Sequence, residues 1–260
     1  MIFELRQTQK AAVLFEGWQE SLIWSALQGV MGKIYVDSEE KPASAMVLLG
    51  DFCFLAGRPD KELVLYQPKQ SGKHFVIMVP QNESWAALIE EVYKENAKRI
   101  VRYAIKKEPE VFQEQTRKEA LQAIVENVPD GYNLQMIDEN LFWKCREIEW
   151  CRDWVKQYED YAIYQKYGLG AIILKDGEPV SGASSYSGYR GGIEVQIITR
   201  EDHRRKGLAS ICAAKLILEC LKRGWYPSWD AKNKWSVALS EKLGYHFDRE
   251  YAAYEVVRSR

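Results

Sequence analysis

The clearest pattern of hydrophobic and polar positions lies in the second half of the chain. An apolar run at Gly170–Leu174, a polar turn and a second extended run at Val180–Tyr186 are typical of a β-hairpin. The segment Ile193–Thr199 then alternates apolar with polar residues before it ends as an apolar run. This pattern predicts a third strand directly after the hairpin.

A long helix is predicted next, because apolar residues recur at helical spacing over Leu208–Lys222 and Gly224 follows as a stop signal. The elements predicted after it are a strand, a helix and two extended segments: Tyr226–Asp230, Ser236–Leu243, Tyr245–Phe247 and Tyr251–Val257. The resulting order, β-β-β-α-β-α-β, indicates a mixed α/β (α+β) fold.

The first half of the chain is similar to a degenerate copy of the second half. Gly32–Val36 aligns with Gly170–Leu174, and Ala87–Glu90 aligns with Ala238–Glu241 in the same order. The interval Gly57–His74 of the first half contains neither a matching basic turn nor a clear long amphipathic helix. Two similar subdomains are therefore expected, and one large mixed sheet with chance matches is the alternative.

A helical connector is predicted between the two halves. Glu110–Asn127 and Asn140–Lys156 are rich in helix formers with interleaved apolar positions, and Val128–Gly131 has the composition of a turn between them. We place the boundary at this turn, which gives a degenerate N-terminal subdomain at 1–127 and a second subdomain at 128–260.

Composition and charge narrow the class of protein. The chain has 260 residues, 47% of them hydrophobic and 28% charged, with a formal net charge of −1, which is typical of a globular protein and excludes general disorder. A near-neutral chain offers no general attraction to nucleic acid. No apolar stretch approaches the roughly 18 residues of a membrane span, and the charged segment Met1–Arg6 is unlike a secretory signal. We therefore expect a cytoplasmic protein without nucleic-acid or membrane partners.

The cysteines do not predict a metal site. There are five of them, an odd number, with neither zinc-site nor C-x-x-C spacing, so reduced thiols are expected. Cys212 and Cys220 lie on one face of the predicted long helix, which indicates core positions. The oligomeric state stays open, with a homo-oligomer as one alternative.

A cationic turn precedes the long helix. Arg204, Arg205 and Lys206 lie at its N-terminus, where the helix dipole already supplies about half a positive charge. A phosphate or pyrophosphate would offset this unfavourable arrangement. The alternatives are that Arg205 and Lys206 form a solvated helix start and that Gly207 is only a turn residue. We expect His203 to be a surface side chain of the turn rather than a base.

The residues of this turn match a family motif. Arg204-x-x-Gly207-x-Ala209, placed after a strand and before a long helix, resembles the acetyl-CoA motif Q/R-x-x-G-x-G/A of the GNAT N-acetyltransferase superfamily. Asn233 and the ending Lys242–Tyr245 resemble the N-x-x-A and K-x-G-F motifs of the same family. The tandem layout is most similar to a bacterial subgroup that includes the zwittermicin A resistance acetyltransferase.

The resemblance covers about Tyr167–Tyr254 and implies a GNAT acyl-CoA N-acyltransferase fold with an intact C-terminal subdomain. It implies acetyl-CoA as co-substrate and direct transfer of the acetyl group to a primary amine of a small molecule or a peptide. No motif identifies this acceptor, and we expect the degenerate half to set acceptor specificity. The residues that the resemblance assigns to acetyl-CoA are Ile197, Ile198, Thr199, Arg204, Arg205, Lys206, Gly207, Leu208, Ala209, Asn233 and Ser236.

Three groups within this set have distinct implied roles. The backbone of Ile197–Thr199 pairs with the pantetheine arm as an added strand. The amides of Arg205–Ala209 donate to the pyrophosphate. Gly207 has no Cβ and so allows close approach of the ligand to the backbone.

The reaction requires a neutral amine. An alkylamine with a pKa of about 10.4 is almost fully protonated at pH 7, so a base or a desolvating site is needed. Glu194, on the strand that leads to the thioester, is the first candidate for the base, and Asp230, at the end of the next strand, is the second. The alternatives are an edge carboxylate paired with a cation for Glu194 and a helix or turn cap for Asp230.

One position departs from the family pattern. Seven residues after Asn233, where many GNAT enzymes carry the tyrosine thought to protonate the leaving thiolate, the chain has Ser240. Ser236 or Tyr245 is a substitute, although Tyr245 has the character of a core residue. The departure favours a second hypothesis, a catalytically weak CoA-binding regulatory or interaction module. A third hypothesis, a tandem aminoacyl transferase of the peptidoglycan-building type, needs a tRNA-binding surface that a near-neutral chain does not supply.

Overall fold

The structure is a computed structural model that describes residues 1–68 and 75–258. The chain forms two units, each with its own core. The first unit combines Met1–Arg102 with the residues from Glu250 onward, and the second unit is Tyr103–Arg249.

The strands, in chain order, are β1 (Phe3–Glu4), β2 (Lys33–Val36), β3 (Ser44–Leu49), β4 (Phe52–Gly57), β5 (Phe75–Pro80), β6 (Ala97–Ile105), β7 (Tyr132–Met136), β8 (Gly170–Lys175), β9 (Glu178–Tyr189), β10 (Gly192–Thr199), β11 (Tyr226–Ser228), β12 (Asp230–Ala231) and β13 (Phe247–Val257). The α-helices are α1 (Ser21–Leu27), α2 (Lys61–Leu65), α3 (Glu83–Tyr93), α4 (Gln115–Val125), α5 (Glu139–Glu147), α6 (Tyr161–Tyr167), α7 (Leu208–Lys222) and α8 (Lys234–Lys242). Short 3-10 segments cover Thr8–Phe15, Lys94–Asn96, Pro109–Phe112, Arg152–Trp154 and Glu201–His203.

The first unit is built on strands in the order β1-β2-β3-β4-β5-β13. β4 and β5 are parallel, whereas β13 pairs antiparallel with β5 in the register Tyr254↔Met78 and Val256↔Val76. All four of these residues are buried in one core with Trp85 of α3. The last strand of the chain therefore completes the core of the first unit.

Between β4 and β5 the described residues form one short helix, α2. The Asp60 carboxylate caps it by accepting hydrogen bonds from the amides of Glu62 and Leu63. The described part of this interval thus contains no long helix, as predicted, and its residues 69–74 lie outside the described residues.

The second unit is built on a five-stranded sheet in the order β11-β10-β9-β8-β7. β10 and β11 are parallel, and the other neighbours are antiparallel. Helix α7 packs across one face of this sheet, where Ile193, Val195 and Ala183 share its core, and α4 packs against α7. Cys212 and Cys220 are buried in this core, which confirms their predicted positions.

Most elements predicted for the second half are confirmed. β8, β9 and β10 occupy the predicted strand segments, and α7 begins and ends at the predicted residues Leu208 and Lys222. The predicted strand Tyr226–Asp230 is divided, because its two pieces pair with different strands, β11 with β10 and β12 with β6. Of the two final extended segments, Tyr251–Val257 lies wholly in the single strand β13, whereas Tyr245–Phe247 reaches it only at Phe247.

The predicted helix at Asn140–Lys156 is wrong beyond Glu147. α5 ends there, and Arg152–Trp154 forms a separate 3-10 segment. The Arg146 guanidinium, in the last turn of α5, donates to the carbonyl oxygen of Tyr158 at 2.6 Å. This hydrogen bond holds the returning chain beside the helix end, so the segment folds back instead of continuing as a helix.

The units also differ from the predicted subdomains 1–127 and 128–260. α4 lies before the predicted boundary but packs against α7 of the second unit. β13 lies after that boundary, yet from Glu250 it belongs to the first unit. Burial of apolar faces follows the packing of elements rather than their order in the chain, and it sets different limits. The assignment of functions to the two subdomains stays a prediction.

Candidate active site

Strand β10 has one fully paired edge and one partly open edge. β9 pairs with it from Gly192 to Thr199, with Tyr186 of β9 left unopposed at a bulge. β11 pairs with it only from Gly192 to Glu194, and β12 pairs with β6 instead. In the described part of the chain, the backbone of Val195–Thr199 therefore has no strand partner on the β11 side.

Trp229 lies between β11 and β12 and holds this strand separation in place. Its buried ring packs against the ring of Tyr245 with centroids 5.4 Å apart, and its Nε1 donates to Ser236 Oγ at 3.1 Å. Lys107 Nζ donates to the Trp229 carbonyl oxygen at 3.1 Å. These contacts fix the point at which the segment after β11 turns away from β10.

The predicted residues on the open edge are Ile197, Ile198 and Thr199. Ile197 packs against the core of the second unit, and Thr199 Oγ1 shares a hydrogen bond of 2.7 Å with Ser181 Oγ of β9. The Thr199 carbonyl also accepts a long hydrogen bond of 3.4 Å from Arg204 Nε. The open edge is therefore clearest at Ile197 and Ile198, where an extended ligand with amide groups can pair as an additional strand.

The turn between β10 and α7 presents a run of amide donors. Arg205 and Gly207 have positive φ angles of 63° and 77°. No acceptor among the described residues takes a hydrogen bond from the amide N–H groups of Arg205–Ser210, and no side chain caps α7. Successive amides without a protein acceptor at a helix N-terminus are an anion-binding arrangement.

Gly207 lies at the centre of this run, at the N-cap of α7. A Cβ atom added at Gly207 would meet no atom of the protein within 4 Å. Packing inside the protein therefore does not require glycine there, whereas the positive φ angle favours it. The free space beside its backbone is available to a ligand.

The three basic side chains of the turn have different neighbours. Arg204 Nη1 lies 3.7 Å from a carboxylate oxygen of Glu201. The Arg205 guanidinium lies over the exposed ring of Trp235, 5.0 Å from its centroid. Lys206 Nζ donates to Tyr132 Oη at 3.3 Å. All three side chains are exposed, so they can add positive charge around an anion bound to the amides.

His203 is not a surface side chain, and that prediction is wrong. It is 8% exposed, and its ring packs edge-on against Tyr132. His203 Nδ1 lies 3.0 Å from Tyr132 Oη, and Nε2 lies 2.8 Å from Arg200 Nη2. Burial lowers the pKa of His203 below its usual value, and the nearby cations lower it further. Because both ring nitrogens are engaged, His203 supports the turn instead of serving as a free base.

Glu194 is the last residue of β10 that pairs with β11. It is 6% exposed, and its register partners are Ser187 on β9 and Ser228 on β11. Burial raises the pKa of the phenols Tyr189 and Tyr226, and the Glu194 carboxylate adds to the rise. This first candidate base therefore lies where the open edge of β10 begins.

The other predicted site residues lie on β12 and α8. Asp230 begins β12 and pairs with Ala104 of β6. Asn233 is the N-cap of α8, and its side-chain oxygen accepts a hydrogen bond from the Ser236 amide at 3.0 Å. Ser236 Oγ accepts the Trp229 indole hydrogen bond. Asn233 and Ser236 thus have structural contacts of their own, and the exposed Asn233 keeps its amide NH₂ group for a ligand.

Two hydroxyl groups considered for the general acid, those of Ser240 and Tyr245, donate to carbonyl groups of the protein. Ser240 is fully buried, and its Oγ donates to the Val237 carbonyl at 2.8 Å. Tyr245 is also buried, and its Oη donates to the Pro227 carbonyl at 2.6 Å. Burial raises the pKa of Tyr245 well above its usual value. Tyr245 is therefore a core residue, as its sequence character indicates.

Two residues near the turn were not predicted. Tyr132 reaches the turn from β7, a strand that the prediction missed, although its apolar and polar residues alternate. Trp235 lies two residues after the predicted Asn233. Its only signal in the sequence is that a large aromatic residue stands in an otherwise polar segment. The turn residues, by contrast, were found because they are contiguous in the chain.

The geometry of the second unit fits acetyl-CoA. The turn suits a pyrophosphate, because it offers a run of amide donors without a protein acceptor, three exposed cations and open space beside Gly207. An open strand edge next to this turn suits an amide-containing arm.

Comparison with known proteins agrees with this geometry. The family model described as GNAT acetyltransferase matches residues 12–254. A Bacillus subtilis (strain 168) protein described as the uncharacterized N-acetyltransferase YdfB is 26% identical over 255 residues, which covers 90% of this chain and 89% of that protein.

Solved structures share the fold. A GCN5-related N-acetyltransferase-like protein from Streptococcus suis 89/1591 has a TM-score of 0.89 and 46% identity, covering 96% of this chain and 98% of that one. A tandem GNAT protein from the clavulanic acid biosynthesis pathway has a TM-score of 0.58 over all of this chain and 99% of that one, at 11% identity, which shows the fold alone.

The chain belongs to the GNAT acetyltransferase family. It is an acetyltransferase with a mixed α/β GNAT fold, and the tandem neighbour agrees with its two-sheet architecture. No helix among the described residues is both long and apolar enough to cross a membrane.

Proposed function

We propose that this protein is an acetyl-CoA-dependent N-acetyltransferase that transfers the acetyl group to a primary amine. The observation that carries the proposal is the run of amides from Arg205 to Ser210 without a protein acceptor, beside the open edge of β10. An anionic group and an extended arm are both needed to fill these two features, and acetyl-CoA has both. Segment 128–260 carries this site, whereas the described part of 1–127 has no equivalent turn.

The residues of the turn bind the phosphates. The amides of Arg205–Ser210 donate to phosphate oxygens, while Arg204, Arg205 and Lys206 supply positive charge. The backbone of Ile197 and Ile198 pairs with the pantetheine arm, and Asn233 donates through its free amide hydrogens. Acetyl-CoA supplies an activated acetyl thioester, and these residues direct it toward Glu194.

Glu194 acts as the general base. It takes a proton from the acceptor ammonium, directly or through water, so that the nitrogen lone pair is free to attack the thioester carbon. The new C–N bond forms as the C–S bond breaks, and the thiolate of CoA leaves with the electron pair. The acylated nitrogen then releases its second proton, which reaches the thiolate through water and gives the amide and free CoA thiol. A thiol with a pKa near roughly 8.5 leaves with little assistance, which suits a site whose Ser240 and Tyr245 hydroxyls are committed elsewhere. Asp230 is the second candidate for the base.

The acceptor is an amine of a small molecule or a peptide. Amino sugars and amine-bearing antibiotics are among its candidates, the latter because the tandem layout resembles the subgroup of the zwittermicin A resistance acetyltransferase. We place the reaction in the cytoplasm, since the five cysteines are buried and none forms a disulfide.

Calorimetry with acetyl-CoA tests the proposal. Gly207→Glu places a side chain and a negative charge in the open space of the turn. Gly177→Glu is a matched control, because Gly177 also has a positive φ angle, 79°, and no atom within 4 Å of an added Cβ, but lies in the β8–β9 turn. We expect wild type and Gly177→Glu to bind with similar affinity and Gly207→Glu to lose binding, with similar melting temperatures for the two variants.

The same preparation distinguishes an enzyme from a binding module. Release of free thiol from acetyl-CoA is measured against a panel of amines in single-turnover conditions. Thiol release with at least one amine supports the transferase. Binding without release for every amine supports the weakly active module, and a wild type that does not bind acetyl-CoA overturns the proposal.

A further inference from the structure

The hydroxyl group of Tyr132 receives hydrogen bonds from two sides at the entrance of the turn. Lys206 Nζ approaches Tyr132 Oη at 3.3 Å, and His203 Nδ1 approaches it at 3.0 Å. A lysine ammonium has no acceptor lone pair. Tyr132 Oη therefore accepts the hydrogen bond from Lys206.

The direction of the second hydrogen bond follows from Arg200. Its Nη2 lies 2.8 Å from His203 Nε2, and a guanidinium only donates. The Asp202 carboxylate lies farther from the same nitrogen, with Oδ2 at 3.5 Å. We therefore assign His203 Nε2 as the acceptor of the shorter Arg200 hydrogen bond, in a neutral ring that carries its proton on Nδ1. Burial and the neighbouring cations, which lower the pKa of His203, agree with a neutral ring. His203 Nδ1–H consequently donates to Tyr132 Oη.

Tyr132 Oη thus accepts twice, and its own proton is left over. A phenol oxygen has two lone pairs and one O–H donor. With both lone pairs used by His203 and Lys206, the O–H donates to a third group. Among the described residues, no acceptor takes a hydrogen bond from it.

The surroundings of this hydroxyl favour an anion as the third group. Lys206 Nζ is at hydrogen-bond distance, and Lys175 Nζ lies 5.0 Å from the centroid of the Tyr132 ring. In the described part of the chain neither lysine has a carboxylate within 4.0 Å. The Asp202 carboxylate is paired with Arg200 instead. Positive charge near Tyr132 is therefore not neutralised by the protein.

We propose that Tyr132 donates its hydroxyl proton in a hydrogen bond to a phosphate oxygen of acetyl-CoA, and that His203 is a positioning residue that orients this hydroxyl. The inference rests on the proposed function. It adds to the contiguous turn a binding residue from β7, a strand more than sixty residues earlier in the chain. A hydroxyl that is prevented from donating to the protein is preorganised for the ligand, and no reorganisation is needed on binding.

Tyr132→Phe tests the proposal. This variant keeps the ring against His203 and Lys175 and removes only the hydroxyl. Affinity is measured by calorimetry for acetyl-CoA and for S-acetylpantetheine, which has the same arm and thioester but no phosphate. We expect the Kd for acetyl-CoA to rise about 10-fold or more, as for loss of a hydrogen bond to a charged group. The Kd for S-acetylpantetheine should not change.

His203 is tested through Tyr132. His203→Leu should weaken acetyl-CoA binding, and the double variant Tyr132→Phe/His203→Leu should bind no more weakly than Tyr132→Phe, because His203 acts through the hydroxyl. His203→Gln should recover part of the loss, since its amide can both donate and accept. Additive losses in the double variant would contradict the positioning role.

The outcomes separate this inference from the proposed function. If wild type does not bind acetyl-CoA, both the proposed function and the inference are overturned. If wild type binds and Tyr132→Phe binds equally well, only the inference is overturned. An equal loss of affinity for both ligands would also overturn it, because the hydroxyl would then not act on a phosphate.

Discussion

Glu194 and Ser228 form the last register pair between β10 and β11 before the two strands separate. Ser187 of β9 lies opposite Glu194 on the other side, so three buried polar residues form a row across three strands. Side chains in register across neighbouring strands point to the same face of a sheet. The carboxylate of Glu194 is thus held at the beginning of the open edge, where we propose that the thioester of acetyl-CoA lies.

The first prediction concerns the base. We expect Glu194→Gln to reduce kcat/KM about 10²- to 10⁴-fold, because the acceptor must then lose its proton without help from a base. The remaining activity should rise with pH as more free amine becomes available. Acetyl-CoA affinity, measured by calorimetry, should be unchanged because Glu194 does not lie in the turn.

Asp230→Asn is the matched control for Glu194→Gln, since it makes the same change from carboxylate to amide at the second candidate base, on β12. We expect less than a threefold loss of kcat/KM in this variant. A large loss in Asp230→Asn together with a small one in Glu194→Gln would assign the base to Asp230. The thermal midpoints of both variants show whether the fold is retained.

The second prediction separates the two roles of Asn233. Asn233→Ala should lower the free energy of unfolding by about 1 kcal/mol, because the N-cap hydrogen bond to the Ser236 amide is lost. Asn233→Asp keeps the cap and should retain stability, yet it removes the amide hydrogens and adds a negative charge. We therefore expect Asn233→Asp to bind acetyl-CoA more weakly than wild type, without a loss of stability. Equal affinity of Asn233→Asp and wild type would remove Asn233 from the binding site.

The third prediction concerns the position where the family tyrosine is absent. Ser240→Ala should leave kcat within about a factor of two, because the Ser240 hydroxyl already donates to the Val237 carbonyl. Ser240→Tyr should not raise kcat. It should destabilise the protein by about 1–3 kcal/mol, since a ring is forced into a fully buried site. A faster Ser240→Tyr enzyme would show that the leaving thiolate lacks an acid.

The fourth prediction concerns pH and the stability of the ligand-free protein. The pKa of His203 is lowered by burial first and by Lys206, Arg200 and Lys175 next, while Asp202 raises it. The unfolded chain therefore binds a proton near pH 6.5, the usual value, before the folded chain does. The contribution of neutral His203 to the free energy of unfolding is fully present above pH 6.5. The free energy of unfolding decreases as the pH falls from there through the folded pKa of His203. Urea unfolding between pH 7.5 and about 5 measures this loss.

His203→Gln is the control for this pH dependence. A second histidine, His246, also contacts a carboxylate, that of Glu108, in the folded protein, so wild type alone does not isolate His203. The difference between wild type and His203→Gln removes the contribution of His246. Asp202 is held ionised by Arg200, which lowers its pKa, and does not interfere. A difference that stays constant with pH would refute the prediction.

Much of the fold of the second half could be predicted from local pattern. β8, β9, β10 and α7 each have a period that is visible within their own residues. The division of Tyr226–Asp230 could not be predicted, because it depends on the burial of Trp229 and on a pairing partner, β6, that lies far away in the chain. The end of α5 depends in the same way on a hydrogen bond between Arg146 and Tyr158.

The candidate site divides along the same line. Arg204 to Ala209 could be found because the ligand contacts they offer come from consecutive backbone amides. Tyr132 could not, since nothing near it in the sequence connects it with His203. His203 was placed on the surface because a polar residue in a turn is usually exposed, and its burial arises from the contact with Tyr132.

The pairing of β13 with β5 also has a consequence for biosynthesis. β5 leaves the ribosome long before β13 does, and until β13 is translated one side of β5 has unpaired backbone groups and incomplete apolar cover. The first unit can therefore finish folding only after the second has been synthesised, which reverses the usual order of N-terminal folding first. A nascent chain that stops before Glu250 would expose an edge strand of its earliest segment, where chaperones or aggregation would act on it.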